Sequence, residues 1–474
     1  MSARHGVFVS QQPTSVATPV VAPSGVPFVI GTAPIQAVES PAAVGIPVLC
    51  TSWNEFVEKF GYSDDWDKYT LCEFAYSHFQ LYGCQPGIFC NVLDPATMKE
   101  AVSAETIPVS NHQASLPLEA IDDSGLTVKS ASVSGEDLTR DTDFVVAHTE
   151  AGLAISLLPD SDHYDLPSLY VGYNKVKPDS VTASVVATKM NAIDLCMTTV
   201  GTVPDLVCAP GFSHDSTLAA LMVTKAESLN GLFKAKAVVD LDCSSSGCTV
   251  YSGVAAAKAT AGMNAVDEIV CWPMVALGEK KFHMSTHVAG LMAKVDAGNG
   301  CPYESPSNKN FQMDGLILAD GTSVQQTKAQ ADTVVEAGVV TALNFLSSGW
   351  VCWGNYTACY PGNTDVKDYF ISISRMFGWV GNTLVGTFWS RLDNPMNRRL
   401  VDTILDTVNI WLNGQVGSGH LLGARCEMVD SENPLTDLMA GIIRLHIYMT
   451  PPAPAQEIDF LLEYDANYVT QAFA

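Results

Sequence analysis

Apolar residues recur along this chain in three rhythms, each predicting a different kind of element. Short unbroken apolar runs lie at Pro27 to Gly31, Ile46 to Cys50, Gly87 to Leu93, Asp205 to Ala209, Ala235 to Leu241 and Ile269 to Leu277, as in strands buried on both faces. Helical spacing fills stretches between them. Ser52 to Phe60 opens on a possible N-cap, Ser52, with Glu55 three residues on, and Tyr69 to Tyr82 carries a stripe of Leu71, Phe74, Ala75, His78, Phe79 and Tyr82. Ser184 to Thr199, Ser216 to Leu229, Ser285 to Val295, Val324 to Leu346 and Lys367 to Trp389 also read as largely helical. Strand, helix, strand in succession predicts parallel pairing and an α/β core. From about residue 98 to 183 the rhythm shortens: Leu126 to Lys129, Asp143 to Val146, Leu153 to Leu157 and Ser168 to Tyr173 alternate between turn signals. That stretch predicts an antiparallel β domain inserted into the core, since the α/β pattern resumes after it.

The last fifth of the chain has a different character. From Gly441 to Met449, Ile443, Leu445, Ile447 and Met449 alternate with Arg444, His446 and Tyr448, the period of a strand with one buried face. Prolines at 451, 452 and 454 stop it, because proline fixes φ and donates no ladder bond. Beyond them Glu457 to Tyr464 alternates again, with Ile458, Phe460, Leu462 and Tyr464 on one side. A strand isolated in this way must find a sheet edge, in its own subunit or another. At the opposite end, Gly6 to Ser10 is a short strand candidate holding Val7, Phe8 and Val9, followed by an extended arm with prolines at 13, 19 and 23.

Composition narrows the class. A chain of 474 residues, 47% hydrophobic and 16% charged, can bury substantial cores and is expected to form several domains. It has no run of about 18 apolar residues and no basic-then-apolar leader at its start, which predicts a soluble protein that neither inserts in a membrane nor carries a signal peptide. Twenty-five basic against 50 acidic residues give a formal charge of −25, the wrong sign for direct nucleic-acid binding. The thirteen cysteines sit mostly in apolar runs, as buried reduced thiols do. The closest pairs, Cys84 with Cys90 and Cys243 with Cys248, lack the spacing of a zinc or redox site.

A search for chemistry returns little. The turn Ala209 to Ser216 holds one glycine and one proline, so neither a dinucleotide fingerprint nor a P-loop is present. His283 and His287 lie four apart without the glutamate or third ligand of a zinc motif, and read as a polar pair near a helix start. Asp160, Asp162 and Asp165 lack the central glycine and terminal glutamate of a calcium loop, and Ser418 beside His420 does not fit a nucleophile elbow. No catalytic residue, metal site or cofactor is expected.

Taken in order, the segments resemble the contractile tail sheath family of bacteriophages, R-type bacteriocins and other contractile injection systems. The resemblance rests on Thr286 to Asp296, Ser305 to Asn308, Ala342 to Asn344 and Val351 to Thr357. It continues through the helix opened by Asn397, Arg398 and Arg399 and ending at Trp411, with its stripe of Leu400, Ile404, Val408 and Trp411. Asn433 and Pro434, Ala440 and Gly441, the strand, the prolines and Glu457 to Phe460 follow, with an N-terminal match from Gly31 to Pro34 up to about Leu93. The resemblance implies a structural subunit rather than an enzyme. Such subunits stack as rings around an inner tube, join by exchanged terminal strands, and contract to drive the tube through a bacterial envelope. The implied partners are further copies of the chain in a helical array, the inner tail tube protein, and baseplate and tail terminator proteins. The implied location is the tail of a virion or injection particle assembled in the host cytoplasm.

On this reading the chain divides into an N-terminal arm (1–24), a first core segment (25–97), the inserted β domain (98–183), a second core segment (184–355), a C-terminal domain (356–450) and a C-terminal arm (451–474). The expected exchange residues are Val7, Phe8, Val9, Ile443, Leu445, Ile447, Ile458, Phe460, Leu462 and Tyr464. The proline stretches 13–27 and 451–454 are the hinge candidates, and Asp402 and Asp406, on the polar side of the helix Pro395 to Asn413, are candidates to face the tube. The alternatives are an α/β enzyme with an inserted β domain, which would need a cleft of convergent polar groups, and a β-rich adhesin or tail spike, which the helices after residue 183 oppose.

Overall fold

A computed structural model of the chain describes residues 19–130, 132–149, 152–346 and 349–474, the side chain of Thr470 excepted. The strand expected at Val7, Phe8 and Val9 lies outside these residues. The first core strands are β1 (Pro27–Gly31), β2 (Val48–Cys50) and β3 (Gly87–Asn91). The insertion supplies β4 (Lys99–Pro108), β5 (Gln113–Leu116), β6 (Ala120–Ile121), β7 (Thr127–Ser130), β8 (Phe144–Thr149), β9 (Gly152–Leu157) and β10 (Ser168–Val176). The core resumes with β11 (Leu206–Cys208), β12 (Lys236–Asp240) and β13 (Glu268–Cys271). A small sheet follows from β14 (Met274–Leu277), β15 (Lys280–Phe282), β16 (Gly315–Ile317) and β17 (Ser323–Val324). Then come β18 (Val339–Asn344), β19 (Trp350–Trp353), β20 (Gly423–Glu427) and β21 (His446–Thr450).

The central sheet has the order β19-β18-β13-β12-β11-β1-β3-β2. Its six inner strands run parallel and its two edge strands antiparallel. β1, β3 and β12 are buried at every residue, which is why they read as unbroken apolar runs. Chain order reverses between β1 and β11, so the sheet winds outward both ways from that point. The expected strand-helix-strand unit is present: the helix Ser216–Glu227 joins parallel β11 and β12, and Asp215 caps it by accepting from Thr217 and Leu218. Ser52 caps Trp53–Phe60 through the Glu55 amide, as the spacing predicts.

Several expectations need correcting. Ile269 to Leu277 is two strands in two sheets, because the Trp272–Pro273 bond ends β13 and redirects the chain into β14. Val324 to Leu346 is helical only over Lys328–Glu336. Gly338, at φ 71°, then breaks the helix, and the β-branched run from Val339 becomes a core strand. Ser184 to Thr199 is interrupted by a 3-10 segment, Met190–Leu195. The helix opened by Asn397 continues past Trp411 to Gly417.

The insertion forms two antiparallel sheets around its own apolar cluster, including Leu116, Ile155, Leu169 and Val171. Its longest strand, β4, reads poorly from sequence because most of its side chains lie exposed or half-buried. The insertion's ends meet: Lys177 donates its amide to Met98 O at 2.9 Å, beside the Lys99 and Val176 pair. Near the C-terminus the helices Ile371–Phe388 and Arg398–Gly417 enclose a separate cluster of Met376, Trp379, Val408, Trp411, Leu412 and Cys426, covered by the two-stranded sheet of β20 and β21. Among the described residues, no helix is long and apolar enough to cross a membrane.

Candidate strand-exchange site

β20 and β21 pair antiparallel, Gly423 against Thr450 through Glu427 against His446. Alternation divides their side chains between two faces. Ala424, Cys426, Ile447 and Met449 turn inward onto the Trp411 cluster, while Arg425, Glu427, His446 and Tyr448 form the outer face. On that outer face the Arg425 guanidinium lies 3.9 Å from the Tyr448 ring centre, His446 stacks on Tyr448 at 4.2 Å, and His446 Nδ1 meets Glu432 at 2.8 Å.

The strand expected over Gly441 to Met449 begins only at His446. Ile443 and Leu445 precede it, and the segment is instead held by Asn433. The Asn433 side chain accepts from Arg444 N at 2.7 Å and donates to Arg444 O and Val429 O at 2.9 Å, standing in for a ladder partner. Leu445 and Ile447 pack against the C-terminal cluster, as the alternation implies.

Glu457 to Tyr464, expected as a strand, has no regular structure and pairs with no strand among the described residues. Its apolar residues stand in solvent: Ile458 is 72% exposed, Phe460 84%, Leu462 97% and Tyr464 81%. Large apolar side chains left exposed in a row are the kind of surface from which interaction sites are built. A short helix, Asn467–Ala472, lies beyond.

Residues 20–27 and 451–456 are held against the body; residues 13–18 of the N-terminal hinge candidate lie outside the described residues. Thr387 Oγ1 and Thr383 Oγ1, on the helix Ile371–Phe388, accept from Val20 N and Ala22 N at 3.0 Å, and Trp379 Nε1 donates to Ala22 O at 2.9 Å. Asp205 then takes the amides of Gly25 (3.0 Å) and Val26 (2.7 Å), and itself pairs with Arg375 at 2.7 Å. Residues 20–27 are thus part of the body. At the other end Pro451 is buried, and Gln456 bonds to Tyr356 Oη and, at 3.0 Å, to Asn355 Oδ1. The free C-terminal segment therefore starts at Glu457.

The remaining candidates have settled places. Asp402 is half-exposed and ion-paired with Arg398 at 2.8 Å, whereas Asp406 is exposed on the same helix. His283 meets the buried Glu73 at 2.9 Å, and His287 meets Tyr82 Oη at 2.8 Å, both within the core. His420 bonds to Gln415 at 2.9 Å rather than to Ser418. All thirteen cysteines are buried thiols. Among the described residues, no group of three or more His, Cys, Asp or Glu is placed to hold a metal ion.

Sequence reasoning missed β20 and the amide clamps. The alternation of Ala424 and Cys426 with Arg425 and Glu427 is a period-2 signal, but the small inward residues make it weak. Asn433 entered only through the family resemblance, and Gln456 and Thr383 carried no signal, because a side chain bonding to distant backbone leaves no local pattern.

An eight-stranded α/β body, an inserted β domain and a helix-backed strand pair beside an unpartnered arm together make the fold of a contractile sheath subunit. The anti-feeding prophage helical sheath in its contracted state matches with a TM-score of 0.59 at 14% identity, over 98% of this chain and 100% of that one. The sheath of an extracellular contractile injection system, PVC, also contracted, matches at 0.58 and 13% identity over 99% of both chains. In sequence, the tail sheath protein of Burkholderia phage BcepMu is 23% identical over 98% of this chain and 97% of its own length. The major tail sheath protein of Serratia phage KSP20 is 25% identical over 45% of this chain and 52% of its own. No family model matches. The resemblance to contractile tail sheath proteins thus holds along the whole chain, and the enzyme alternative finds no support among these relatives.

Proposed function

We propose that this chain is the structural subunit of a contractile tail sheath, polymerising helically around an inner tube through exchanged terminal strands and shortening to drive that tube through a bacterial envelope. The observation that carries this reading is the arm Glu457 to Tyr464: alternately apolar, exposed, and tethered at Gln456 beside a two-stranded sheet. A two-stranded sheet is marginal alone, and added strands stabilise it through main-chain bonds while alternate side chains fix register. Of the arms 1–24 and 451–474, the parts beyond the fastenings at residues 20–27 and Gln456 are the free ones; 25–97 and 184–355 act as the body, 98–183 as a peripheral domain and 356–450 as the exchange domain. Repetition of one head-to-tail contact with rotation and rise gives a helical array. Contraction is then a switch between two packings of stiff subunits, with motion confined to the segments outside the two fastenings.

The other partners are the tail tube, for which the exposed Asp406 and neighbouring Asp402 supply an acidic face, and the baseplate and terminator at the array's ends. The particle is a virion tail or injection device built in the host cytoplasm. Deleting residues 457–474, or residues 1–18, is expected to leave a folded monomer that forms no tubes in negative-stain electron microscopy. Normal sheaths from either deletion defeat the exchange mechanism. If Asp402→Lys with Asp406→Lys leaves co-assembly with the tube unchanged across salt concentrations, the tube contact lies elsewhere.

A further inference from the structure

A groove of about 670 Å³ runs between the body and the inserted domain, and one of its walls is the edge of a sheet. The strand order there is β5-β9-β8, so β8 has a strand neighbour on one side alone. A residue in an antiparallel strand turns its N–H and its C=O to the same side, and that side alternates along the strand. Leu158 N donates to Asp143 O at 2.9 Å, which sets the phase: Val145, Ala147 and Thr149 bond toward β9, while Phe144, Val146 and His148 turn away from it. Leu157 N agrees, since it reaches His112 O on the β5 side at 2.9 Å. Asp141 N takes up Phe144 O at 2.8 Å and so closes one end of the edge. Among the described residues nothing bonds to the backbone groups of Val146 and His148, and both residues line the groove. Open edges are usually shielded by lysine, proline or an inward charge, and the sequence of β8, Phe-Val-Val-Ala-His-Thr, has none of these.

The opposite wall belongs to the body. It includes Pro41 to Val44 and the buried Gln36, which donates to Leu118 O at 3.0 Å and leaves its Oε1 without a partner. Glu39 and Asp94 stand on the same wall. Glu39 is exposed, Asp94 accepts from Ala96 N at 2.9 Å and from Thr97 Oγ1 at 2.8 Å, and among the described residues neither is ion-paired. The third carboxylate, Asp122, is offset by Arg140 through two bonds of 2.7 Å. Burial holds His148 below the usual imidazole range, so it brings no positive charge at neutral pH. Unused main-chain donors and acceptors thus face two uncompensated negative charges across one groove.

We propose that this groove is a docking site for an extended, positively charged segment of a different protein, which adds as a strand to β8. Main-chain bonds at Val146 and His148 supply affinity, and lysine or arginine side chains alternating along the segment reach Glu39 and Asp94. A second copy is the poorer occupant. The chain carries a charge of −25, and its exposed extended segment, Glu457 to Tyr464, is itself acidic. The inference does not rest on the sheath reading, since neither wall involves residues 356–474.

The probe is a fluorescent hexapeptide that alternates lysine with valine, titrated by anisotropy against the whole chain beside a counterpart carrying glutamate for lysine. The lysine peptide should bind saturably, about tenfold or more tighter than the glutamate one. It should also slow amide exchange at Val146 and His148 and leave Val145 and Ala147 unchanged. Val146→Pro removes one outward N–H and spares the bonds to β9, because proline is accepted at a sheet edge. Glu39→Lys reverses one wall charge at an exposed position. Each should weaken the lysine peptide by about fivefold or more, with thermal unfolding unchanged. Should Val146→Pro fail to fold, Glu39→Lys and the exchange pattern decide alone.

No saturable binding of the lysine peptide, equal affinity for both peptides, undiminished binding to Glu39→Lys, or protection that bypasses Val146 and His148 overturns the proposal. A peptide of residues 1–18 that binds as tightly as the lysine probe assigns the groove to the chain itself and overturns the choice of partner.

Discussion

Arg375, on the helix Ile371–Phe388, and Asp296, on the helix Met284–Asn299, form a buried ion pair with Nη1 3.1 Å from Oδ1. The same guanidinium reaches Asp205, which holds the backbone where the N-terminal arm enters the sheet. One cation thus joins the C-terminal helices, the α/β body and the root of an arm. Removing one partner of a buried pair leaves the other charge desolvated, at a cost of about 3–5 kcal/mol. Arg375→Met should therefore lower unfolding stability by that order in urea titrations, and proteases should gain access to residues 19–26. A loss under 1 kcal/mol with unchanged protease resistance would show that the pair contributes no net tie.

Two histidines set an acid limit. Burial pulls His78 down to about 4 and His287 down to about 3, so both are neutral in the folded chain. Unfolded, they return to about 6.5 and take up protons there. Their contribution to stability is complete above pH 6.5 and is lost as pH falls toward the folded values. Between about pH 6 and 4 these two histidines contribute a slope approaching two protons, roughly 2–3 kcal/mol per pH unit, against the opposite contributions of the buried Glu268, raised to about 7, and Asp296, raised to about 6. Urea unfolding at stepped pH measures it, and the double substitution His78→Asn, His287→Asn should flatten that limb. A slope unchanged by the double substitution would place the acid sensitivity elsewhere.

Asn433 is the member of the exchange site most exposed to test by a single substitution. Its amide makes three bonds to Val429 and Arg444, and it is buried. Asn433→Ala should cost about 2–3 kcal/mol, since three backbone groups lose their partner. The loss should appear as faster amide exchange through β21 and a higher protein concentration needed for assembly, with the α/β body unaffected. Equal loss of protection in body and sheet would mean that the two unfold as one unit.

The α/β body was legible because its strands are buried on both faces and its helices start with side-chain caps, both local signals. What escaped was decided at a distance. Val339 to Asn344 looked helical because it continues a helix, and only the αL glycine at 338 and a vacant position beside β13 make it a strand. The site was half legible: the alternation of Ile447 and Met449 with Tyr448 declared an inward face, whereas the alternating arm forms no strand in its own chain. The clamp of Asn409 on Cys426 could not be read, because it joins a helix side chain to backbone 17 positions further on. The fastenings near the proline stretches were not legible either, since prolines mark where a chain is extended and give no indication that Thr383, Thr387 or Gln456 will hold it.

The insertion offers the most drastic test of how the molecule is built. β4 and β10 leave and re-enter the body side by side, joined by the Lys177 to Met98 bond, so a short glycine linker can replace residues 99–176 without stretching the chain. The excision has a cost. Ile121 and Val176 belong to the main apolar cluster, and Lys68 pairs with Glu119 at 2.8 Å across the boundary. Exposing what these two side chains cover should lower stability by about 3–5 kcal/mol while unfolding stays cooperative. If the exchange site is the C-terminal sheet and the arms, the shortened chain should still polymerise into thinner-walled tubes, measured by electron microscopy. A folded, shortened chain that cannot polymerise would assign the insertion a part in the lattice and remove the C-terminal sheet and arms as a sufficient joint.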